Sequence, residues 1–281
     1  MKTRQEKTVG NIVTFGILVV LTVVFIFPIL LVLMNSFKSR LYVSVNPFAW
    51  PAGDMFVGFE NYVNGLTTSG FFMAFLRSAF ISVFSVLLII VCTSMTAWYL
   101  VRVKNRLTKV LYYVFVFSMI VPFQMVMYTM TFMVTSLYFD NVFGIVLVYL
   151  GFGAGLSVFM FSGFVKGVPV EVEEAATIDG CTPLQTFFMI VLPMLKPTAI
   201  TVAILNAMWV WNDYLLPYLI LGSDHKTVPV AIQLAMQGAY GSTDYGGFMA
   251  MLVLSIIPIV IFYISSQKYI IKGVIAGAVK G

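Results

Sequence analysis

Charge is what this sequence has least of. Only 10% of its 281 residues are Asp, Glu, Lys or Arg, against roughly 25% in a soluble domain. So few charges cannot coat a water-facing globule. Histidine is nearly missing too: His225 stands alone, beside two cysteines, Cys92 and Cys181. No Cys/His cluster exists to hold a metal. Cys92 lies in an apolar run and Cys181 in a polar connector, so no disulfide between them is expected. No GxxxxGK[ST] phosphate loop occurs, and Gly163 to Gly167 (GFVKG) has neither the spacing nor the context of one. With the only histidine in a loop, a Ser–His pair for proteolysis within a membrane is also excluded. There is no internal repeat and no low-complexity segment.

What the chain has instead is apolar length. Hydrophobic residues make up 60% and the mean hydropathy is +1.00. This predicts an all-α integral membrane protein whose main solvent is lipid. Six runs approach the ~20 apolar residues that cross hydrocarbon. They are Ile12 to Met34 with Pro28 inside, Phe72 to Val101, Val110 to Leu137 with Pro122 inside, Val142 to Val165, Thr198 to Leu221, and Gly247 to Ile271. The first follows a basic start (Lys2, Arg4, Lys7). It is longer than the apolar core of a signal peptide and lacks a small-residue cleavage site, so it reads as a retained span. The net charge of +5 is therefore a membrane signature and no nucleic-acid footprint. With the N-terminus in the cytoplasm, Lys2, Arg4, Lys7, Arg102, Lys104, Arg106, Lys109, Lys166, Lys196, Lys268, Lys272 and Lys280 fall inside. Lys38, Arg40, Arg77 and Lys226 fall outside. That asymmetry, about three to one, predicts both termini in the cytoplasm of a multi-pass cell-membrane protein.

The one long connector that is charged and capped runs over 168–197. Pro169 with Glu171, Glu173 and Glu174 after it predicts a helix start, and Gly180 a left-handed helix end. Thr182, Pro183 and Gln185 predict a second start through a capping box. Pro193 and Pro197 predict its break. Residue chemistry alone allows an ordinary amphipathic connector here, or a rigid knob on which a partner could push. Among the spans, the fifth carries Asp213, with Trp209 and Asn212 on the same helical face at i, i+3 and i+4 and Asn206 upstream. Such groups serve either as interhelical glue or as functional polar sites. Candidate path residues for a polar solute are Gln124, Tyr128, Asn206, Trp209, Asn212 and Asp213, although aromatics are also common in lipid-facing and core positions.

Glu174, Ala175, Ala176, Asp179, Gly180, Ile190, Leu192 and Pro193 together resemble the EAA loop of binding-protein-dependent ABC import permeases. Trp209, Asn212, Asp213 and Pro217 resemble a W-N-D/E-x-x-x-P pattern of that family's carbohydrate members, and Asn35 to Lys38 (NSFK) follows the first span. The resemblance covers essentially the whole chain and is nearest to the shorter permease of the maltose-type group. It implies a type I ABC importer permease fold with six transmembrane helices. Residues 1–70 would form the first span and an extracytoplasmic loop, 71–272 the transmembrane domain with its coupling loop at 168–197, and 273–281 a cytoplasmic tail. Glu171, Glu174, Ala175, Ala176, Asp179, Gly180, Leu192 and Pro193 would couple to an ATPase. The implied partners are a second permease subunit, two cytoplasmic ATPase subunits, an extracytoplasmic sugar-binding protein and a carbohydrate cargo. The chain would be no enzyme and hold no cofactor, ATP being bound and hydrolysed by the partner ATPase. In the maltose branch an outer loop placed like Gly222 to Gly246 is a scoop into the binding protein, and the same is expected here. Its C-terminal end, around Gly238, Tyr240, Gly241 and Tyr245, is expected to be flexible. Ser39 to Gly70 is expected to be an outer surface loop with a short amphipathic helix, a structural clip. The alternative from another class is an ion-coupled secondary transporter of a small polar solute. That would need intramembrane carboxylates or broken-helix cation sites, and Asp213 is its thin support.

Overall fold

Breaks, more than helices, shape this chain. The computed structural model describes residues 4–68, 70–237 and 244–278. In order the helices are α1 (Arg4–Asn35), α2 (Arg40–Val45), α3 (Glu60–Thr68), α4 (Phe71–Arg102), α5 (Arg106–Ser118), α6 (Phe123–Ser136) and α7 (Val142–Val165). They continue with α8 (Val170–Ile178), α9 (Pro183–Thr186), α10 (Leu192–Met194), α11 (Lys196–Asn212), α12 (Leu215–Leu221), α13 (Val228–Met236) and α14 (Tyr245–Ala278). No strand occurs among the described residues, only an isolated antiparallel bridge between Lys38 and Phe56. Among the described residues, four helices are long and apolar enough to cross a bilayer: α1, α4, α7 and α14. The count reaches six if each of two bent pairs is one span.

The third expected span, with Pro122 inside it, is divided into α5 and α6, set at 107° to each other. Pro122 offers no N–H and pushes Val121 out of the helical region, so α5 stops at Ser118 and α6 restarts at Phe123. The fifth expected span is broken too. α11 ends at Asn212, and Asp213 is extended (φ −74°, ψ 122°). Its Oδ1 accepts from the N–H groups of Leu215 (3.1 Å) and Leu216 (3.4 Å). An Asp in that role starts a new helix, α12, rather than continuing the old one.

The chain divides into two compact units. The first, residues 1–72 and 232–257, is organised by the residues just after α1. Ser36 Oγ lies 2.6 Å from the Tyr62 hydroxyl. Asn61 Nδ2 donates to the carbonyls of Ser36 and Lys38, both at 2.8 Å. Lys38 is fully buried, and its ammonium donates to the carbonyls of Asn46 (2.8 Å) and Pro47 (3.1 Å). Residues 39–68 thus form a folded clip carrying α2 and α3, where a short helix is expected.

The second unit, residues 73–231 and 258–281, holds two apolar clusters. One joins Ile89 and Ala97 of α4, Val158, Phe161 and Val165 of α7, Phe187, Val191 and Leu195, and Val202 of α11. The other joins Ile81, Val134, Ile145, Tyr149, Val210, Leu216 and Ile220. Small residues let α7 approach its neighbours, the usual device where lipid removes the hydrophobic drive between helices. A Cβ on Gly155 would stand 2.8 Å from the Phe115 carbonyl oxygen of α5. On Gly153 it would stand 2.6 Å from Ile89 Cδ1 of α4.

Candidate functional site

The 168–197 connector folds largely as its sequence prescribes. α8 starts after extended Pro169, with Glu171 and Glu173 in its first turn. It ends in a Schellman motif. Gly180 takes φ +87°, its N–H reaches the Thr177 carbonyl (3.1 Å), and the Cys181 N–H reaches the Ala176 carbonyl (2.9 Å). This is the left-handed geometry in which glycine costs least. The second start is the expected capping box. The Thr182 N–H donates to Gln185 Oε1 (2.8 Å) and the Gln185 N–H to Thr182 Oγ1 (3.4 Å), with Pro183 in the first turn. The break expected at Pro193 does not occur there, and helix runs through it. The backbone widens into a π turn over Phe187–Val191, which relieves the clash a proline makes with the carbonyl four residues before it. The break falls at Leu195 instead, where the path into α11 bends by 78°.

What holds this knob lies outside the expected coupling residues. Glu173 is 8% exposed. Arg102, at the end of α4, grips it with Nε (3.0 and 3.1 Å to its two oxygens) and Nη2 (2.7 Å). Trp98 Nε1 donates to its other side (3.0 Å). Arg102 Nη2 also donates to the Val168 carbonyl (2.8 Å), clasping the loop before α8 as well. Two-point arginine–carboxylate bonding fixes direction as well as distance. Trp98 packs against Phe187 (5.6 Å between ring centres), so one α4 turn braces both halves of the knob. A sequence signal does exist: Glu173 and Ala176, three apart, form the inward face of α8, and both are buried. The outward face carries Glu171, Glu174 and Ala175, with Asp179 and Gly180 at its end, all exposed. Of the other expected coupling residues, Pro193 is exposed, while Leu192 is half-buried and packs on the first apolar cluster. Ala176 and Leu192 therefore support the knob from within. Ile178 is 86% exposed and Met189 70%. Ile178 lies on the same face of α8 as Glu171, Glu174 and Ala175.

The six candidate path residues do not form one cluster. Gln124 and Tyr128 sit on the exposed side of α6. Asn206 is buried between helices, donating to Ser157 Oγ of α7 (3.2 Å) and to the Val202 carbonyl (2.9 Å). The single face expected for Trp209, Asn212 and Asp213 is interrupted by the end of α11. Asn212 is exposed and turns back to the Met208 carbonyl (2.7 Å). Trp209 and Asp213 meet instead at Tyr149, a residue that no motif singles out. Its hydroxyl donates to Asp213 Oδ2 (3.1 Å) and its ring lies 5.3 Å from that of Trp209, edge to face. In the outer segment 222–246, α13 occupies Val228–Met236. Tyr245 opens α14, while the expected flexible stretch at Gly238, Tyr240 and Gly241 lies outside the described residues.

The fold is similar to that of a subunit in the crystal structure of a bacterial ABC transporter involved in the import of alginate. The TM-score is 0.79 at 22% identity, covering 96% of this chain and 99% of that one. In sequence, the chain is 38% identical over 263 residues to the probable starch degradation products transport system permease protein AmyC of Thermoanaerobacterium thermosulfurigenes (93% of this chain, 94% of that protein). It is 33% identical to the multiple sugar-binding transport system permease protein MsmG of Streptococcus mutans, over 99% of this chain and all of that protein. It is 31% identical to the melibiose/raffinose/stachyose import permease protein MelC of Bacillus subtilis (90% and 91%). Residues 85–276 match the family described as binding-protein-dependent transport system inner membrane component. That span takes in the Arg102–Glu173 clamp, the knob and the Asp213 break. The chain is a multi-pass inner-membrane permease with the type I ABC importer fold, and it belongs to the binding-protein-dependent transport system inner membrane components.

Proposed function

We propose that this chain is one of two permease subunits of an ATP-driven carbohydrate importer. It forms half of the translocation path and couples to separate ATPase subunits through its 168–197 knob. The observation that carries the reading is the construction of that knob. It has an exposed face of Glu171, Glu174, Ala175, Ile178 and Asp179, and a buried face clamped to α4 by Arg102. A force applied to such an element moves α4 and α7 as a body, which alternating access by rigid-body motion requires. The knob and both termini are cytoplasmic in this reading, as the distribution of Lys and Arg favours. A second permease, two ATPases that bind and hydrolyse the ATP, and an extracytoplasmic binding protein complete the assembly. The cargo class, an oligosaccharide, is inferred from the relatives named for starch degradation products, multiple sugars and melibiose/raffinose/stachyose. Asp213 serves as a helix start held by Tyr149, and the path offers polar and aromatic contacts. The test is to tag the C-terminus, solubilise gently and identify the co-purifying chains by mass spectrometry. A second permease and a Walker-motif ATPase are expected, after which the companion binding protein is screened against oligosaccharides. A chain recovered alone, or only with itself, would overturn the reading.

A further inference from the structure

The clip after α1 has a feature that a water-facing loop does not need: it folds back along the span. Phe48 stacks on Phe27 of α1, with ring centres 6.5 Å apart and planes within 8°. Phe27 lies eight residues before the end of α1 at Asn35, which is about 12 Å along the axis at 1.5 Å per residue. Even with the whole 6.5 Å lying along the axis, Phe48 would sit about 5 Å inside the end of the helix. The apolar part of α1, Asn11–Asn35, is about 37 Å long at that rise, a few ångströms more than a hydrocarbon core of about 30 Å. Phe48 therefore stands at the level of the acyl chains.

The segment is built for that solvent. From Leu41 to Gly53 it carries no charged residue. Phe48 is 72% exposed and Trp50 77%. With Phe27, Leu31, Phe37 and Phe59 they line a hollow of about 780 Å³ whose side chains are all apolar. Backbone polar groups in hydrocarbon need internal partners, and Asn46, Pro47 and the Ala49 N–H have them. Pro47 and Pro51 have no N–H to satisfy. The Ala49 N–H returns to the Asn46 carbonyl (3.3 Å). The Asn46 and Pro47 carbonyls accept from the Lys38 ammonium, and the Pro47 carbonyl also from Asn35 Nδ2 (3.0 Å). A lysine spent wholly on two carbonyls makes little sense in a loop that water could solvate. At membrane depth, pairing a cation with backbone carbonyls is the expected solution.

We infer that residues 46–51 form a re-entrant turn inserted into the leaflet at the C-terminal end of α1, where Phe48 and Trp50 lie among lipid acyl chains and Asn35 and Lys38 cap the turn's carbonyls. The inference rests only on α1 being a span. It also explains the NSFK residues, because Asn35 and Lys38 hold the turn while Ser36 ties α3 to it through Tyr62. The turn anchors the clip in the plane of the membrane, where the binding protein would press on it.

The test reads Trp50 emission in the purified assembly reconstituted with lipids brominated along the acyl chain, taken as the difference between the native chain and Trp50→Phe. Brominated chains are expected to quench that difference signal, and aqueous iodide is expected to leave it. Quenching by iodide and not by bromine would show a solvated loop and overturn the inference. Quenching by neither would show the second permease covering the turn, which overturns it equally. Lys38→Met supplies the second arm. With its helix content by circular dichroism and its assembly retained, Trp50 should become open to iodide, because the uncapped carbonyls seek water. Unchanged shielding would remove Lys38 from the account.

Discussion

Replacing Glu173 with Gln tests the clamp most directly. The substitution keeps the shape and one acceptor, but it removes the charge and turns one oxygen into a donor. That donor must face either Trp98 Nε1 or the Arg102 fork, both of which already donate. Breaking a buried ion pair from one side typically costs 3–5 kcal/mol. Here the two side chains keep 19% and 11% of their surface exposed, and the carboxamide retains one acceptor. About 2–3 kcal/mol is therefore expected. That shifts the balance between clamped and released α8 by on the order of a hundredfold. The assay has two readouts. Amide hydrogen exchange over 168–180 should rise, because the clasp on the Val168 carbonyl loosens as well. Sugar uptake per ATP hydrolysed should fall, because a loose knob no longer moves α4. Arg102→Lys should behave similarly, since a point charge cannot make the two-point contact. Arg102→Met with Glu173→Leu should recover exchange protection better than either single change. If Glu173→Gln leaves both exchange and uptake at the native level, the clamp is not what transmits force.

Three further changes probe separate contacts. Gly180→Leu should uncouple uptake from ATP hydrolysis. The cost there is purely conformational, about 1–2 kcal/mol at φ +87°, since a Cβ would meet nothing within 4 Å. Asn, which tolerates this geometry, should be milder in the same assay. Gly155→Ala forces α5 from α7 by placing a methyl 2.8 Å from the Phe115 carbonyl oxygen. A melt of the purified assembly should show a loss of about 1–3 kcal/mol, while Gly151→Ala, with open space around it, should be silent. Tyr149→Phe takes one donor from Asp213 and should cost about 1 kcal/mol. Its melt should drop and its uptake should change together; a drop in uptake alone would instead assign the Tyr149 hydroxyl to the cargo.

The class of solvent, the ends of α4 and α7 and both caps of the knob are legible in the residues alone. These are local facts. Apolar runs of span length need lipid, Gly180 needs a left-handed turn, and Thr182 with Gln185 closes a capping box within one helical turn. Even the sugar-permease resemblance rests on short motifs. The remainder needed the folded chain, because it depends on partners far apart in sequence. Glu173 is one of three similar carboxylates until Arg102 and Trp98, more than seventy residues earlier, choose it. Asp213 reads as a member of a helical face until Tyr149 and the start of α12 turn it aside. Pro122 reads as internal to a span and Pro193 as a break, yet the first parts two helices by 107° and the second is carried inside a helix by a π turn. A proline sets only a local penalty, and the packing around it decides whether the chain bends or absorbs it. Lys38 is the sharpest case. Its charge reads as an outer-face residue, but the fold buries it and bonds it to the carbonyls of Asn46 and Pro47, because a turn lying beside a span has no water to meet its backbone.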